Sequence, residues 1–230
     1  MELKGRLGAI AGMVPVCRTV CDIGTDHAYI PIYLVSGDIC GKAVATDVRK
    51  GPLQVAGENI LSFGLDDRIE LRLGDGLEPL REGEAEVIVI AGMGGALIRD
   101  LLEQGRSKAV KAQKLVLQPM KAPELVREWL CENGFEITGE ELAEEEGKIY
   151  TLIGAHWTGV CTRLTPAELQ VGSVSLHHNL PLLRKYIDKK NSQLETMIKG
   201  LQQSETQSEE AVEYEKLLRK LVRLSKELEG

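Results

Sequence analysis

The residues of this chain best suited to chemistry lie in Asp22-Ile23-Gly24-Thr25-Asp26-His27-Ala28 and, about one strand–helix unit later, in Val44-Ala45-Thr46-Asp47. An apolar strand that ends in Asp-x-Gly, then a helix, then a strand ending in an acid is the arrangement that holds a nucleotide-like cofactor over a parallel sheet. Gly24 lets the backbone approach the ligand closely, and the second-strand acid accepts hydrogen bonds from ribose hydroxyls. A dinucleotide fingerprint would place three glycines where Gly24 stands alone. Asp26 and His27 also occupy the place where a pyrophosphate needs bare N–H groups and no negative charge. The pattern suits a ribose-bearing cofactor without a pyrophosphate, of which S-adenosylmethionine is the common one. The plainer alternative is a tight strand-to-helix connection.

Further candidates also sit at strand ends. Asp22 would hold the cofactor's amino group, and Asp47, with Val48 beside it, fits the ribose; a helix N-cap is the alternative for Asp47. Gly74-Asp75-Gly76 offers a flexible acid for an adenine amino group, or is simply a tight turn. In Ala91-Gly92-Met93-Gly94-Gly95, three glycines in four residues leave the backbone bare where cofactor and substrate meet. We assign Gly24, Asp26, His27, Asp75, Gly76, Gly92 and Met93 to the cofactor together with Asp22, Asp47 and Val48, and Gly94 and Gly95, with Gln118-Pro119, to the substrate. His27 directly follows the cofactor turn, where capping the next helix is its bland alternative, whereas His156, His177 and His178 are expected at the surface. No metal-ligand spacing, phosphate loop or hydrolase nucleophile arrangement appears.

The elements that must position these residues alternate along the chain. Strands are expected at 19–23, 42–46, 69–73, 86–91 and 114–118, with helices at 27–36, 51–63, 95–103 and 122–132. A short amphipathic helix over 2–13 precedes them. Val87–Ala91 is apolar on both faces, as a central parallel strand should be. The pair 135–141 and 148–155, joined by an acidic turn, reads as an antiparallel hairpin closing one sheet edge. The result is an α/β doubly wound sheet, with ligands outside the strand carboxyl ends.

Beyond Trp157 the pattern changes. Leu180, Leu183, Ile187, Lys190, Leu194, Met197 and Leu201 follow a 3-4 spacing, as do Tyr214, Leu217, Leu221, Leu224 and Leu228. With a turn over 202–208, they predict an antiparallel α-helical coiled coil within one chain; two helices packed on the main domain, or pairing between chains, are the alternatives. The expected domains are 1–157 and 158–230. Net charge is −7, which disfavours a non-specific nucleic-acid binder. Arg184–Lys199 nevertheless carries five basic and two acidic residues. Five cysteines without a C-x-x-C pair read as reduced, mostly buried thiols of a cytoplasmic protein. No transmembrane segment or signal-peptide core is expected.

Asp22-Ile-Gly-Thr-Asp-His-Ala-Tyr-Ile-Pro31, Ala91-Gly-Met-Gly-Gly95, Leu117-Gln-Pro119, Glu132-Asn-Gly-Phe135 and Gly147-Lys-Ile-Tyr150 together resemble the bacterial tRNA (adenine-N1)-methyltransferase family acting on the adenine at nucleotide 22. The resemblance runs from Arg6-Leu7 into the C-terminal helices. It implies a class I Rossmann-like methyltransferase domain, S-adenosylmethionine as methyl donor and a coiled-coil domain that helps grip tRNA. Met120 departs from the family pattern, where Asn follows Leu-Gln-Pro.

On that basis Asp26, His27 and Tyr29 are the catalytic candidates. Adenine N1 is a lone-pair nucleophile, so transfer needs alignment rather than a strong base. The Asp26 carboxylate would stabilise the cationic product ring, with His27 and Tyr29 positioning base or cofactor. Arg184, Lys185, Lys189 and Lys190 would contact tRNA phosphates; a solvated helix face is the alternative. A small-molecule methyltransferase, a nicotinamide dehydrogenase (disfavoured by the missing glycines) and a non-catalytic S-adenosylmethionine-binding scaffold are the competing readings. A monomer is expected.

Overall fold

A computed structural model describes residues 1–203 and 209–229. The chain divides into two units, Met1–Arg163 and Leu164–Gly230.

Unit 1 is built on a seven-stranded sheet of β1 (Cys17–Ile23), β2 (Cys40–Asp47), β3 (Ile69–Leu73), β4 (Val87–Met93), β5 (Lys114–Pro119), β6 (Phe135–Glu145) and β7 (Lys148–Trp157), in the order β3-β2-β1-β4-β5-β7-β6. The first five strands are mutually parallel; β7 runs antiparallel to β5 and to β6, so the expected hairpin forms the edge. Flanking helices are α1 (Gly5–Gly12), α2 (Tyr29–Ser36), α3 (Lys50–Ser62), α4 (Gly95–Gln104), α5 (Arg106–Ala109) and α6 (Pro123–Glu132). This is the Rossmann-like α/β sheet that the alternating pattern predicts.

Successive residues of a strand face opposite sides, and the central strand shows why its sequence is uniformly apolar. Val87 and Val89 join one core layer with Val20, Ile32 and Val116, while Ile88 and Ile90 join the other with Ile98, Leu102 and Leu130. One charged pair is sealed inside: Arg127 of α6 donates through Nε to Glu140 Oε1 at 2.8 Å and through Nη2 to Oε2 at 3.0 Å, with both side chains buried. Such a fork satisfies both groups at once, which is the condition for tolerating buried charge.

Among the boundaries that differ from the sequence expectation, two have a clear local reason. The helix expected from His27 begins at Tyr29, because Asp26 and Ala28 hold positive φ of 51° and 58° and cannot continue a right-handed helix. The strand expected to stop at Glu141 continues to Glu145, with a register shift between Ile137 and Gly139.

Unit 2 opens with α7 (Pro166–Val171), whose start is fixed by a capping box between Thr165 and Glu168. A 3-10 turn (Val174–Leu176) leads to α8 (Leu180–Gln203) and α9 (Glu209–Glu227). The last two run antiparallel: Ser225 donates to Asp188 at 2.6 Å, Arg184 pairs with Glu229, and Gln202 donates to Glu215 at 3.4 Å. Of the turn expected over 202–208, residues 204–208 lie outside the described residues. The buried residues of α8 are Leu183, Tyr186, Ile187, Asn191, Leu194 and Ile198. Lys190 and Met197, expected on the seam, therefore stand one residue away from it, and Leu180 is exposed as well. A strict 3-4 repeat drifts round a straight helix, so the true contact line advances by a residue. His177, expected at the surface, is buried with Nε2 2.9 Å from Val171 O.

Candidate active site

The sheet order reverses direction between β1 and β4, and a crevice outside the carboxyl ends of such strands is where open α/β sheets bind ligands. A cavity of about 550 Å³ opens there. The ten residues assigned to the cofactor from sequence, Asp22, Gly24, Asp26, His27, Asp47, Val48, Asp75, Gly76, Gly92 and Met93, all line it, as does Tyr29.

The first strand–helix turn is held in an uncommon backbone form. Gly24, Asp26 and Ala28 all have positive φ, the first at 72°. Two non-glycine residues in that region within three positions mark stored strain, which gathers at ligand-binding turns. The N–H groups of Gly24 and Thr25 both bond to Thr46 O, at 2.8 and 2.9 Å, tying the end of β1 to the end of β2. Beneath the turn, Asp22 is 4% exposed. Burial, reinforced by the nearby Asp47 charge, pushes its pKa up to about 7. A recessed carboxyl of this kind gains a counter-ion when a cationic ligand arrives. Asp47 accepts from the Arg49 N–H at 2.9 Å through Oδ1, an Asx-type turn rather than the N-cap weighed from sequence. The N-cap position of α3 is Arg49, without a side-chain bond.

At the cavity mouth, the His27 and Tyr29 rings stack with centroids 5.3 Å apart and planes 22° from parallel. Tyr29 is exposed, and Asp26 Oδ2 lies 3.4 Å from His27 Nε2. A carboxylate and an aromatic platform thus share one rim.

Arg6 is a cavity residue that pattern reading missed. It comes from α1, and Nη1 donates to Gln118 Oε1 at 2.7 Å. Its Nε lies 3.7 Å from Glu145 Oε2, and the guanidinium sits 5.6 Å over the Tyr150 ring. On a helix read as amphipathic, Arg6 looks like a residue of the polar face. Only partners more than a hundred residues away aim it inward.

The four residues assigned to the substrate do not line the cavity. Gln118 is buried, accepting from Arg6 and from Gly92 N–H (3.1 Å) while donating to Pro119 O (2.9 Å). It supports the site from behind. Pro119 is buried beside it. Gly95 bonds through its N–H to Lys121 O at 2.8 Å, and a Cβ there would meet Ala122 O at 2.0 Å. Gly95 is thus needed for close packing, and Gly94 is the N-cap position of α4. Met120, the departure from the family pattern, is exposed next to this corner.

A buried hydroxyl of the cavity lining, Thr46 Oγ1, has no hydrogen-bond partner among the described residues, while that of Thr25 faces the Asp22 carboxyl. An unmet polar atom beside a recessed acid, a second acid and a guanidinium fits a polar ligand with an amino-acid tail and a ribose.

Of the basic residues assigned to tRNA, Arg184 is engaged by Glu229 and lies 4.0 Å from Asp188, while Lys190 donates to Gln170 at 3.3 Å and lies over the Tyr186 ring. Lys185 and Lys189 are exposed.

A methyltransferase domain model matches residues 3–153. The tRNA (adenine(22)-N(1))-methyltransferase of Bacillus subtilis is 39% identical over 155 residues, spanning 67% of this chain and 65% of that relative. The solved structure of the B. subtilis m1A22 tRNA methyltransferase TrmK superposes with a TM-score of 0.81 at 30% identity, covering 99% of this chain and 98% of that one. A Streptococcus pneumoniae putative tRNA (m1A22) methyltransferase, solved with S-adenosyl-L-methionine, gives 0.82 at 30% identity over 96% and 99%.

Proposed function

This chain belongs to the bacterial tRNA (adenine(22)-N1)-methyltransferase family, and we propose that it transfers a methyl group from S-adenosylmethionine to N1 of the adenine at nucleotide 22 of tRNA. The observation that carries this reading is the joining, in one cavity, of a recessed carboxyl, a second acid and a guanidinium with an open carboxylate–aromatic rim.

S-adenosylmethionine, when bound, supplies the electrophilic sulfonium methyl. Asp22 takes the ammonium of its amino-acid tail, and Arg6, held by Gln118 and Glu145, takes the carboxylate. Asp47 receives the ribose hydroxyls, and Asp75 with Gly76 receives the adenine edge. The target adenine leaves its stack to reach the cavity, as bases acted on by enzymes must. The His27–Tyr29 pair offers the ring a replacement stacking surface. N1 would form its bond to the methyl with its own lone pair as the S–CH3 bond breaks and S-adenosylhomocysteine leaves with that electron pair, so the protein's work is alignment. The Asp26 carboxylate, on the same rim, opposes the positive charge that develops on the ring. With tRNA as substrate, we take the enzyme to act in the cytoplasm, and the pairing of α8 with α9 within one chain favours a monomer.

The test is incubation with methyl-labelled cofactor and unmodified tRNA, followed by nucleoside mass spectrometry. Labelled 1-methyladenosine is expected, and should vanish when adenine 22 is replaced. Cofactor consumption without tRNA would turn the reading to a small-molecule methyltransferase, and binding without consumption to a non-catalytic scaffold. Asp26→Asn should lower turnover by about 10²-fold or more while cofactor affinity stays within about twofold. Equal losses would move Asp26 to cofactor binding.

A further inference from the structure

Within unit 2 the basic residues are not where the sequence first draws the eye. Lys216–Lys226 of α9 carries five basic residues, Lys216, Arg219, Lys220, Arg223 and Lys226, and no acidic one. At 3.6 residues per turn these five fall within an arc of roughly 120°. The opposite side of the helix is the buried one, with Ala211, Leu217, Leu221 and Ser225. All five basic side chains are exposed. Lys216, Arg219, Lys220 and Lys226 make no ion pair among the described residues, and Arg223 pairs with Glu227 at 2.8 Å.

Two ordinary explanations are insufficient. A solvated helix face normally interleaves signs, because like charges three and four residues apart each cost about 0.2–0.5 kcal/mol. Complementing the helix dipole favours cations only in the last turn, which covers Lys226 but not Lys216, Arg219, Lys220 and Arg223. In the α8 cluster, by contrast, Arg184, Lys185 and Lys190 are engaged within the protein.

A second feature adjoins the stripe. A cleft of about 420 Å³ within unit 2 is lined by Ser173 and Ser175, whose hydroxyls lie 3.1 Å apart, and by Lys220 and Arg223. Of its charged residues, Glu168 accepts the Thr165 N–H through Oε2, and Glu227 and Arg223 hold each other, so Lys220 is the cation left without an ion pair among the described residues. A lysine beside two hydroxyls is chemistry that cradles a phosphodiester oxygen.

We propose that the outer face of α9 is the track that carries the phosphate backbone of tRNA, with one phosphate seated at the Ser173–Ser175–Lys220–Arg223 cleft. This rests on tRNA being the substrate. It shifts the main electrostatic contact from α8 to α9.

The test uses the full chain with Lys216, Arg219, Lys220 and Lys226 all changed to Gln, and measures tRNA affinity against salt concentration. Each lost phosphate contact reduces the log–log slope by about 0.7–0.9, so the slope should fall by about 3 and affinity at low salt by more than tenfold. A Lys216→Arg/Lys220→Arg/Lys226→Arg variant should keep the slope. Circular dichroism and cofactor affinity report folding, and Lys220→Gln alone, expected to lower the slope by about 0.8, serves if the fourfold variant unfolds. An unchanged slope in a folded variant that still methylates tRNA overturns the α9 track and leaves the activity intact. A reduced slope in a protein that methylates no tRNA upholds the track and overturns the activity.

Discussion

Replacing Asp22 by Asn should stabilise the ligand-free protein while abolishing tight cofactor binding. Asp22 is buried with an ordinary value of 3.8 raised to about 7. Between those two pH values the folded chain retains a proton that the unfolded chain has released, so stability falls as pH rises through the window and stays low above it. At about 1.36 kcal/mol per pKa unit the full cost is about 4 kcal/mol, reached at pH 7 and above. The Asn amide carries its own burial cost of about 1–3 kcal/mol, leaving a net gain of about 1–3 kcal/mol at pH 8. For a chain of this length that is a Tm increase of roughly 3–10 °C. Near pH 5 most of the carboxylate penalty has gone, and the two melting curves should converge. Thermal unfolding of both proteins without cofactor, from pH 5 to 8, reads this directly. In parallel, cofactor affinity of the unsubstituted protein should fall about tenfold per pH unit below pH 7, because the ammonium must then displace the Asp22 proton. A variant that melts at or below the parent at pH 8, with the same pH slope, refutes the assignment of Asp22 as a strained carboxyl awaiting a cation.

Two other substitutions probe separate parts of unit 1. Arg6→Gln should weaken cofactor binding by about 10- to 100-fold, the loss of one charge-assisted bond, and lower the Tm through the lost bond to Gln118; calorimetric titration of the folded variant checks the affinity. Glu140→Gln leaves Arg127 buried without its counter-charge and should cost about 3–5 kcal/mol in denaturant unfolding, whereas the double change Arg127→Met/Glu140→Leu should recover most of it.

Features encoded by local pattern were readable before the fold was seen. Alternating apolar segments gave the strand order its raw material, and the Asp-x-Gly turn with the acids after β2 and β3 marked residues that the sheet gathers into one cavity. What escaped notice depends on distance along the chain or on small angular errors. Arg6 meets Gln118 across 112 residues, and no local period reports that. Gln118 looked like a substrate contact because it ends a strand, yet its side chain turns toward Arg6 and Gly92. The seam of α8 runs through Asn191 and Ile198 because a strict seven-residue repeat drifts round a straight helix within the first few turns. The basic run on α9 was hidden by the near-neutral balance of its region.

The long reach of Arg6 also bears on how the site is assembled. Its three holders, Gln118, Glu145 and Tyr150, belong to β5 and the antiparallel edge hairpin, so closing the pocket requires joining segments at opposite ends of unit 1. Loop closures of that length are entropically late events. A folding intermediate with β1 to β4 paired would already own its Asp-x-Gly turn and its ribose acid, but no guanidinium. Cofactor capture therefore signals that the edge hairpin has docked, and refolding followed by ligand binding should lag behind refolding followed by secondary structure.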